Sequence, residues 1–382
     1  MDSIMYVVVP AAVLVLGSLL AWPSIRRTAW LAAAEAPLWR KTAERVALSL
    51  AVALIVAVSG WSTYNAIAIQ LFLAANPPRG HMYSVSGRKM HLYCVGSGEP
   101  TVLLEPGLGP ATDVLSWGSL QPKLARAARV CSYDRAGLGW SESQPGPRDA
   151  DRICADLHEL LRQAGVSAPL VLLGTSYGGI YIRNYTAHYP EGVAALVLVD
   201  SSTPFQEERF QAALGSRNGN PGRRLALLQA GYLLGLARLE GWCGRPVPGW
   251  ERRAATALGE DACMPRDESR REYLSMAQSS AEAARAGPFG ALPILIFSHD
   301  PGNVLSMKDP PREWAIRERL WDTMQEELRG LSTRSRRIVA RGSGHGVQID
   351  REELVVKEVV RLLDQIRGGT LAESNWGSTT VE

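Results

Sequence analysis

The stretch PLVLLGTSYGG, Pro169–Gly179, constrains the fold of this chain more than any other. It runs from a short apolar segment straight into a serine bracketed by glycines, and IYIRNYTAHYP behind it reads as a helix. An apolar run this short, bounded by glycine, is a buried strand. Gly174-Thr175-Ser176-Tyr177-Gly178 fits G-x-S-x-G. Small residues on both sides of the serine let neighbouring chain pass close, so the backbone turns sharply and lifts Ser176 Oγ above the sheet edge. The helix N-terminus beside it favours a developing anion. Glycine and serine are common, so the pentapeptide alone is weak. The strand before it and the helix after it separate it from an ordinary glycine-rich turn.

The rest of the chain repeats this alternation. HMYSVSGRKMHLYCVG reads as two strands joined by a turn at Ser86–Lys89. TVLLEPGLG, ARVCSYDRAGLG, VAALVLVD, LPILIF and RRIVAR are further apolar runs, with helices near Asp149–Ala164, Pro311–Leu331 and Arg351–Ile366. Strands alternating with helices predict a mostly parallel sheet with helices on both faces. Residues 79–200 and 291–367 form that core. Between them, 201–290 is too long for an ordinary connection. Its segment LALLQAGYLLGLARLE is amphipathic, as expected of a lid helix over an active site or of a packing subdomain. The polar, glycine-rich tail 368–382 is expected to be disordered.

The first 78 residues differ in kind. Ile4–Trp22 carries no charge, and a second uncharged run extends from Val46 to Pro78. A helix rises about 1.5 Å per residue, so about 20 apolar residues span the ~30 Å hydrocarbon core of a bilayer. Two transmembrane helices are expected, over about 4–22 and 46–73, the second leaving the lipid or bending near Ser59–Gly60. A cleaved signal peptide is the alternative for the first, but it requires a positive start where this chain has only Asp2. Arg26, Arg27, Arg40, Lys41 and Arg45 lie between the runs against Glu35 and Glu44. The positive-inside tendency puts that linker in the cytoplasm and the strand–helix portion of the chain outside it.

Several function classes lose their signatures. A net charge of +3 and scattered arginines give no electrostatic footprint for nucleic acid. The five cysteines contain no CxxC, and neither HExxH nor GxxxxGK[ST] occurs. No metal and no cofactor is expected.

RVCSYDRAGLGWS, Arg129–Ser141, together with GTSYGG and the C-terminal GSGH, resembles the α/β-hydrolase superfamily, over about Met82 to Arg367. The resemblance implies an eight-stranded, mostly parallel sheet with helices on both faces and a lid after the sixth strand. It also implies a Ser-His-Asp triad. Ser176 is the expected nucleophile. Of six histidines only His345 occupies the loop after the final strand, where an imidazole takes the serine proton and returns it to the leaving group. The acid, which fixes the imidazole tautomer, is expected at Asp300 after the seventh strand, with Asp200 after the sixth as the alternative. Two N–H donors would hold the oxyanion. One is that of Tyr177. The other belongs to Gly107 or Leu108, because Pro106, in a loop where many relatives have His-Gly, has no N–H. In the superfamily's strand order Cys94 lies beside Cys131, which fits either a bridge or two buried small residues; Cys243 and Cys263 fall together in the lid, where a disulfide would brace the insert, leaving Cys154 unpaired.

These residues imply a membrane-anchored serine hydrolase acting on a small, lipophilic carboxylic ester or related acyl bond. The alternatives are a peptidase or amide hydrolase with the same triad, and a non-catalytic, membrane-tethered binding module.

Overall fold

The computed structural model describes residues 37–109, 114–215, 221–243, 259–260, 263–264, 267–305, 307–308, 311–371 and 376–382, with Val15 alone before them. Apart from Val15, the first expected membrane helix, 4–22, lies outside the described residues. Among those residues one helix, α1 (Leu38–Ala75), is long and apolar enough to cross a membrane. It runs unbroken through Ser59–Gly60, so the expected bend there is absent. One glycine in a helix costs only about 1 kcal/mol against alanine, and from Ser59 onward the helix gains a protein partner. Its buried residues are Ser59, Ser62, Asn65, Ala66 and Ile69, spaced along one face.

After α1 the chain builds one nine-stranded sheet in the order β1-β2-β4-β3-β5-β6-β7-β8-β9. β1 (His81–Val85) and β2 (Arg88–Val95) form a hairpin closed by Ser86 and Gly87, both at positive φ, as a tight two-residue hairpin turn requires. β2 also pairs antiparallel with β4 (Val130–Tyr133). β3 (Thr101–Glu105), β5 (Leu170–Thr175), β6 (Val193–Val199), β7 (Ile294–His299) and β8 (Ser335–Ala340) are all parallel. Alternation sends successive side chains to opposite faces. Val102, Leu104, Val171 and Leu173 meet α2 (Leu120–Leu124) and the last helix, while Leu103, Leu170 and Leu172 meet α3 (Ala150–Gln163) and α4 (Gly178–His188).

The insert between β6 and β7 is helical: α5 (Gln206–Leu214), α6 (Pro221–Leu233), α7 (Leu236–Leu239), α8 (Asp267–Leu274) and α9 (Met276–Arg285). It is referred to below as the cap. Disulfides join Cys94 to Cys131 across β2 and β4 and Cys243 to Cys263 within the cap, leaving Cys154 free and buried. α10 (Gly302–Leu305) and α11 (Arg312–Glu327) follow β7; α12 (Val347–Asp350) and α13 (Glu352–Gly368) follow β8.

The tail departs from expectation. Thr379–Val381 forms β9, parallel to β8, and makes the sheet nine-stranded rather than eight. Glu382 N donates to Val339 O and Arg341 N donates to Glu382 O. Three β-branched residues and the unpaired edge of β8 outweigh the glycine-rich approach.

Candidate active site

The functional side chains gather at the carboxyl edge of the parallel strands, where open α/β sheets place their ligands. Ser176 follows β5 with φ +50, in the left-handed region where a side chain is strained. Its neighbours must be small. A Cβ on Gly174 would lie 2.7 Å from Gly178 C, one on Gly178 2.4 Å from Glu105 O, and one on Gly179 1.7 Å from Ser201 Oγ. The turn is pinned by Ser176 N donating to Val199 O and Ser202 N donating to Ser176 O.

His345, on the loop after β8, places Nε2 3.0 Å from Ser176 Oγ. Its Nδ1 is 2.5 Å from Asp200 Oδ2. The structure therefore brings His345 to Asp200 rather than to Asp300. Asp300 is engaged elsewhere: its carboxylate accepts from Gly302 N at 2.8 Å and Gly342 N at 2.9 Å, tying the β7 and β8 loops together. Asp-Pro-Gly is a turn signature in which the aspartate bonds the backbone two residues on, which is its physical role here. Asp200 has φ +43, a second strained residue at the site, and its side chain is fully buried. The His345 side chain is 56 % exposed, so the imidazole remains open to an incoming molecule.

Three groups around Asp200 were not anticipated from the sequence. His299 Nδ1 is 2.9 Å from Asp200 Oδ2, and its Nε2 lies 2.7 Å from Glu318 Oε2. Trp321 Nε1 donates to Asp200 Oδ1 at 2.9 Å, and its ring meets that of His345 edge-on at 5.6 Å. Burial works against charge on His299, but the two carboxylates outweigh it and hold its pKa up at about 9. Burial likewise opposes charge on Asp200, yet the hydrogen bonds from His299 and His345 drive its pKa well below the usual carboxylate range. Glu318 and Trp321 are one turn apart on α11, and nothing local in the sequence marks that helix as the one facing Asp200.

The loop expected to complete the oxyanion site lies against the nucleophile. A Cβ on Gly107 would sit 3.1 Å from Ser176 Cβ. Arg135, from the RVCSYDRAGLGWS motif, donates to Pro106 O and Gly107 O and pairs with Glu105 and the cap residue Glu272. A trans peptide points its C=O and N–H in opposite directions. With both carbonyls held by Arg135, the N–H groups of Gly107 and Leu108 are turned away from it. The Tyr177 hydroxyl donates to Met276 O at 2.8 Å, so the cap rests directly on the residue after the serine.

The motif is thus structural support. Asp134 accepts from Trp140 N and pairs with buried His91, and Cys131 is disulfide-bonded. Glu105 is fully buried; desolvation raises its pKa to about 7 against the pull of Arg135 and Tyr133. Removing Arg135 as Arg135→Met would strand Glu105 and Glu272 without their cation. Breaking a buried pair by one partner costs about 3–5 kcal/mol. The thermal midpoint in detergent should fall on the order of 10 °C, and an unchanged midpoint would show that the network carries no such weight.

Fold and site together define an α/β enzyme scaffold with a serine–imidazole–carboxylate relay at the strand ends. The chain belongs to the alpha/beta hydrolase fold family, whose model matches residues 100–352. An uncharacterised protein of Bacillus subtilis, YbdG, is 30 % identical over 170 residues, which cover 44 % of this chain and 52 % of YbdG, about half its length. The enol-lactonase of Burkholderia xenovorans superposes with a TM-score of 0.51 at 19 % identity, covering 74 % of this chain and all of that one. An esterase from Exiguobacterium antarcticum gives 0.51 at 20 % identity over 75 % of this chain and 99 % of that one. Likeness at these identities speaks for the fold.

Proposed function

We propose that this protein is a membrane-anchored serine hydrolase that cleaves a carboxylic ester or related acyl bond through an acyl-Ser176 intermediate. The observation that carries the reading is the continuous relay from Ser176 Oγ to His345 Nε2 at 3.0 Å and from His345 Nδ1 to Asp200 at 2.5 Å. In this reading His345 takes the Ser176 proton as Oγ attacks the carbonyl carbon. The N–H groups of Tyr177 and of Gly107 or Leu108 hold the oxyanion. His345 then protonates the departing alcohol, and a water activated by the same imidazole releases the acid. Asp200 keeps the Nδ1 proton in place and offsets the imidazolium charge. A lipophilic substrate suits α1, which carries exposed Val52, Leu54, Val56 and Ile67. The two disulfides support a catalytic domain outside the cytoplasm, where such bonds persist.

The test uses the full chain in detergent. A fluorophosphonate should form one adduct, mapped by peptide mass to Ser176, and a panel of p-nitrophenyl esters of increasing chain length should be turned over. No adduct at Ser176 and no ester hydrolysed would sink the reading.

His299 provides a pH signature. His299 and His345 both bond Asp200, so a positive charge on His299 works against a second positive charge at the site. His299→Gln keeps a hydrogen-bonding side chain and removes the cation, so the acid limb of the kcat/KM–pH profile should move up by about 1 unit. The folded pKa of His299, about 9, lies above its ordinary 6.5. Its contribution to stability is therefore complete below pH 6.5 and disappears as pH rises through about 9. The gap in thermal midpoint between wild type and His299→Gln should close over that interval.

A further inference from the structure

α1 does more than precede the domain: it docks on the cap. Trp61 Nε1 donates to Gly235 O at 3.0 Å, Ser62 Oγ to Leu233 O at 3.3 Å and Asn65 Nδ2 to Tyr232 O at 3.4 Å, while Arg238 Nε donates to Asn65 Oδ1 at 3.0 Å. The acceptors include two carbonyls that end α6, Leu233 O and Tyr232 O, the latter also accepting from Gly235 N. Gly235, at φ +72, permits the approach, because a Cβ there would lie 2.7 Å from Asn65 Cβ. Polar residues on a membrane helix face protein rather than lipid. Ser62 and Asn65 obey that rule through their bonds to the cap, and Ser59 is buried on the same face.

The depth of this contact follows from the sequence. Arg45 is the last charged residue before the apolar run, and about 20 residues at about 1.5 Å each carry the helix across ~30 Å of hydrocarbon, from Val46 to Asn65. The bonds from Trp61 to Asn65 thus fall within the last ~6 Å of that thickness. Whatever bonds to them lies at the same level. Around the docked segment the cap exposes Leu227 (65 %), Leu228 (51 %), Leu236 (46 %), Leu239 (62 %) and Trp242 (61 %). Leu236 follows the docked Gly235 directly, and Leu227 is less than two helical turns from Tyr232.

We propose that the cap face bearing Leu227, Leu228, Leu236, Leu239 and Trp242 is seated in the headgroup–acyl boundary of the bilayer that α1 crosses, at a depth fixed by docking on Trp61, Ser62 and Asn65. The inference rests on α1 being a membrane anchor. The partner is lipid because the docking bonds hold this cap segment against α1, whose Leu54, Val56 and Ile67 are themselves exposed apolar side chains. The same cap reaches the site: α6 packs on α8, Glu272 of α8 holds Arg135, and Arg135 holds the Gly107 loop beside Ser176. An ester dissolved in the membrane therefore meets the cap before it meets bulk water.

The test is depth measurement on the full chain in phosphatidylcholine vesicles. Nitroxide labels are placed singly at Leu227→Cys, Leu236→Cys, Leu54→Cys within α1 and Glu353→Cys on α13. The one native free thiol, Cys154, is buried and escapes labelling. All four sites are exposed, so the fold is retained, which ester turnover checks. Power saturation with oxygen and a water-soluble nickel chelate should place the labels at 227 and 236 about 5–10 Å below the headgroup level. The label at 54 should be deeper and that at 353 fully in water. Labels at 227 and 236 matching 353, with 54 in lipid, would overturn the seated cap and leave the anchor standing. A label at 54 in water would overturn both.

Discussion

Ser176→Ala is expected to lower ester turnover about 10⁶-fold, because a hydroxyl without which no acyl-enzyme forms has no understudy at the site. The fluorophosphonate adduct should vanish with it. The substitution isolates chemistry from folding for a specific reason. Ser176 stands at φ +50, where the strain comes from Cβ, and alanine keeps Cβ. The turn is held by backbone bonds from Ser176 N to Val199 O and from Ser202 N to Ser176 O, which alanine also keeps. The hydroxyl's own bond is to a half-exposed imidazole, so its loss should change the thermal midpoint by no more than a few degrees. Residual turnover within tenfold of wild type, with an intact fold, would remove Ser176 from the mechanism. Gly178→Ala offers the steric counterpart: its Cβ would lie 2.4 Å from Glu105 O, so the turn itself must shift.

The parts of this site that were legible in the sequence are those fixed by local sterics or by topology. The glycines around Ser176 are small because Gly174 and Gly178 touch, and that constraint is local and therefore visible as a pattern. His345 was legible because the loop after the last core strand ends at the same sheet edge as Ser176. The resemblance's strand order set Cys94 beside Cys131, and the two face each other in the β2–β4 register. What stayed hidden depends on tertiary approach. His299 lies beside Asp300 at the end of a strand, and Glu318 and Trp321 lie within a charged helix that the sequence sets apart in no other way. They converge on Asp200 only because α11 folds back across β7. The docking of α1 on the cap was hidden for the same reason, since Ser59, Ser62 and Asn65 look in sequence like a place where a membrane helix ends. The tail pairs for the same kind of reason: its glycines point to disorder, but three β-branched residues lie against the open edge of β8.

The choice between the two aspartates supplies the sharpest chemical test. Asp200→Asn should lower kcat about 10⁴-fold, whereas Asp300→Asn should lower it less than about tenfold. An asparagine at 200 is nearly the same size, but it offers His345 Nδ1 either an amide oxygen without charge or an amide donor that forces the wrong tautomer. Two further losses come with it. His299 would keep Glu318 but lose the carboxylate that does most to raise its pKa, and Trp321 Nε1 would face a weaker acceptor. The buried side chain at 200 has no solvent to soften the change. Asp300 differs in every respect that matters. Its oxygens accept from two backbone N–H groups, Gly302 and Gly342, and Asp300→Asn preserves one good acceptor for them. Its effect should therefore be a modest fall in stability, on the order of 1 kcal/mol, with the pH profile unmoved. If Asp300→Asn proved the more damaging to kcat, the loop after β7 would have to reach His345 in the working enzyme, and the relay through Asp200 would be wrong. The strained backbone at Asp200, φ +43, argues against that outcome. A buried aspartate held in the left-handed region binds two imidazoles and an indole at once, and on the proposed reading the orientation of His345 offsets the strain.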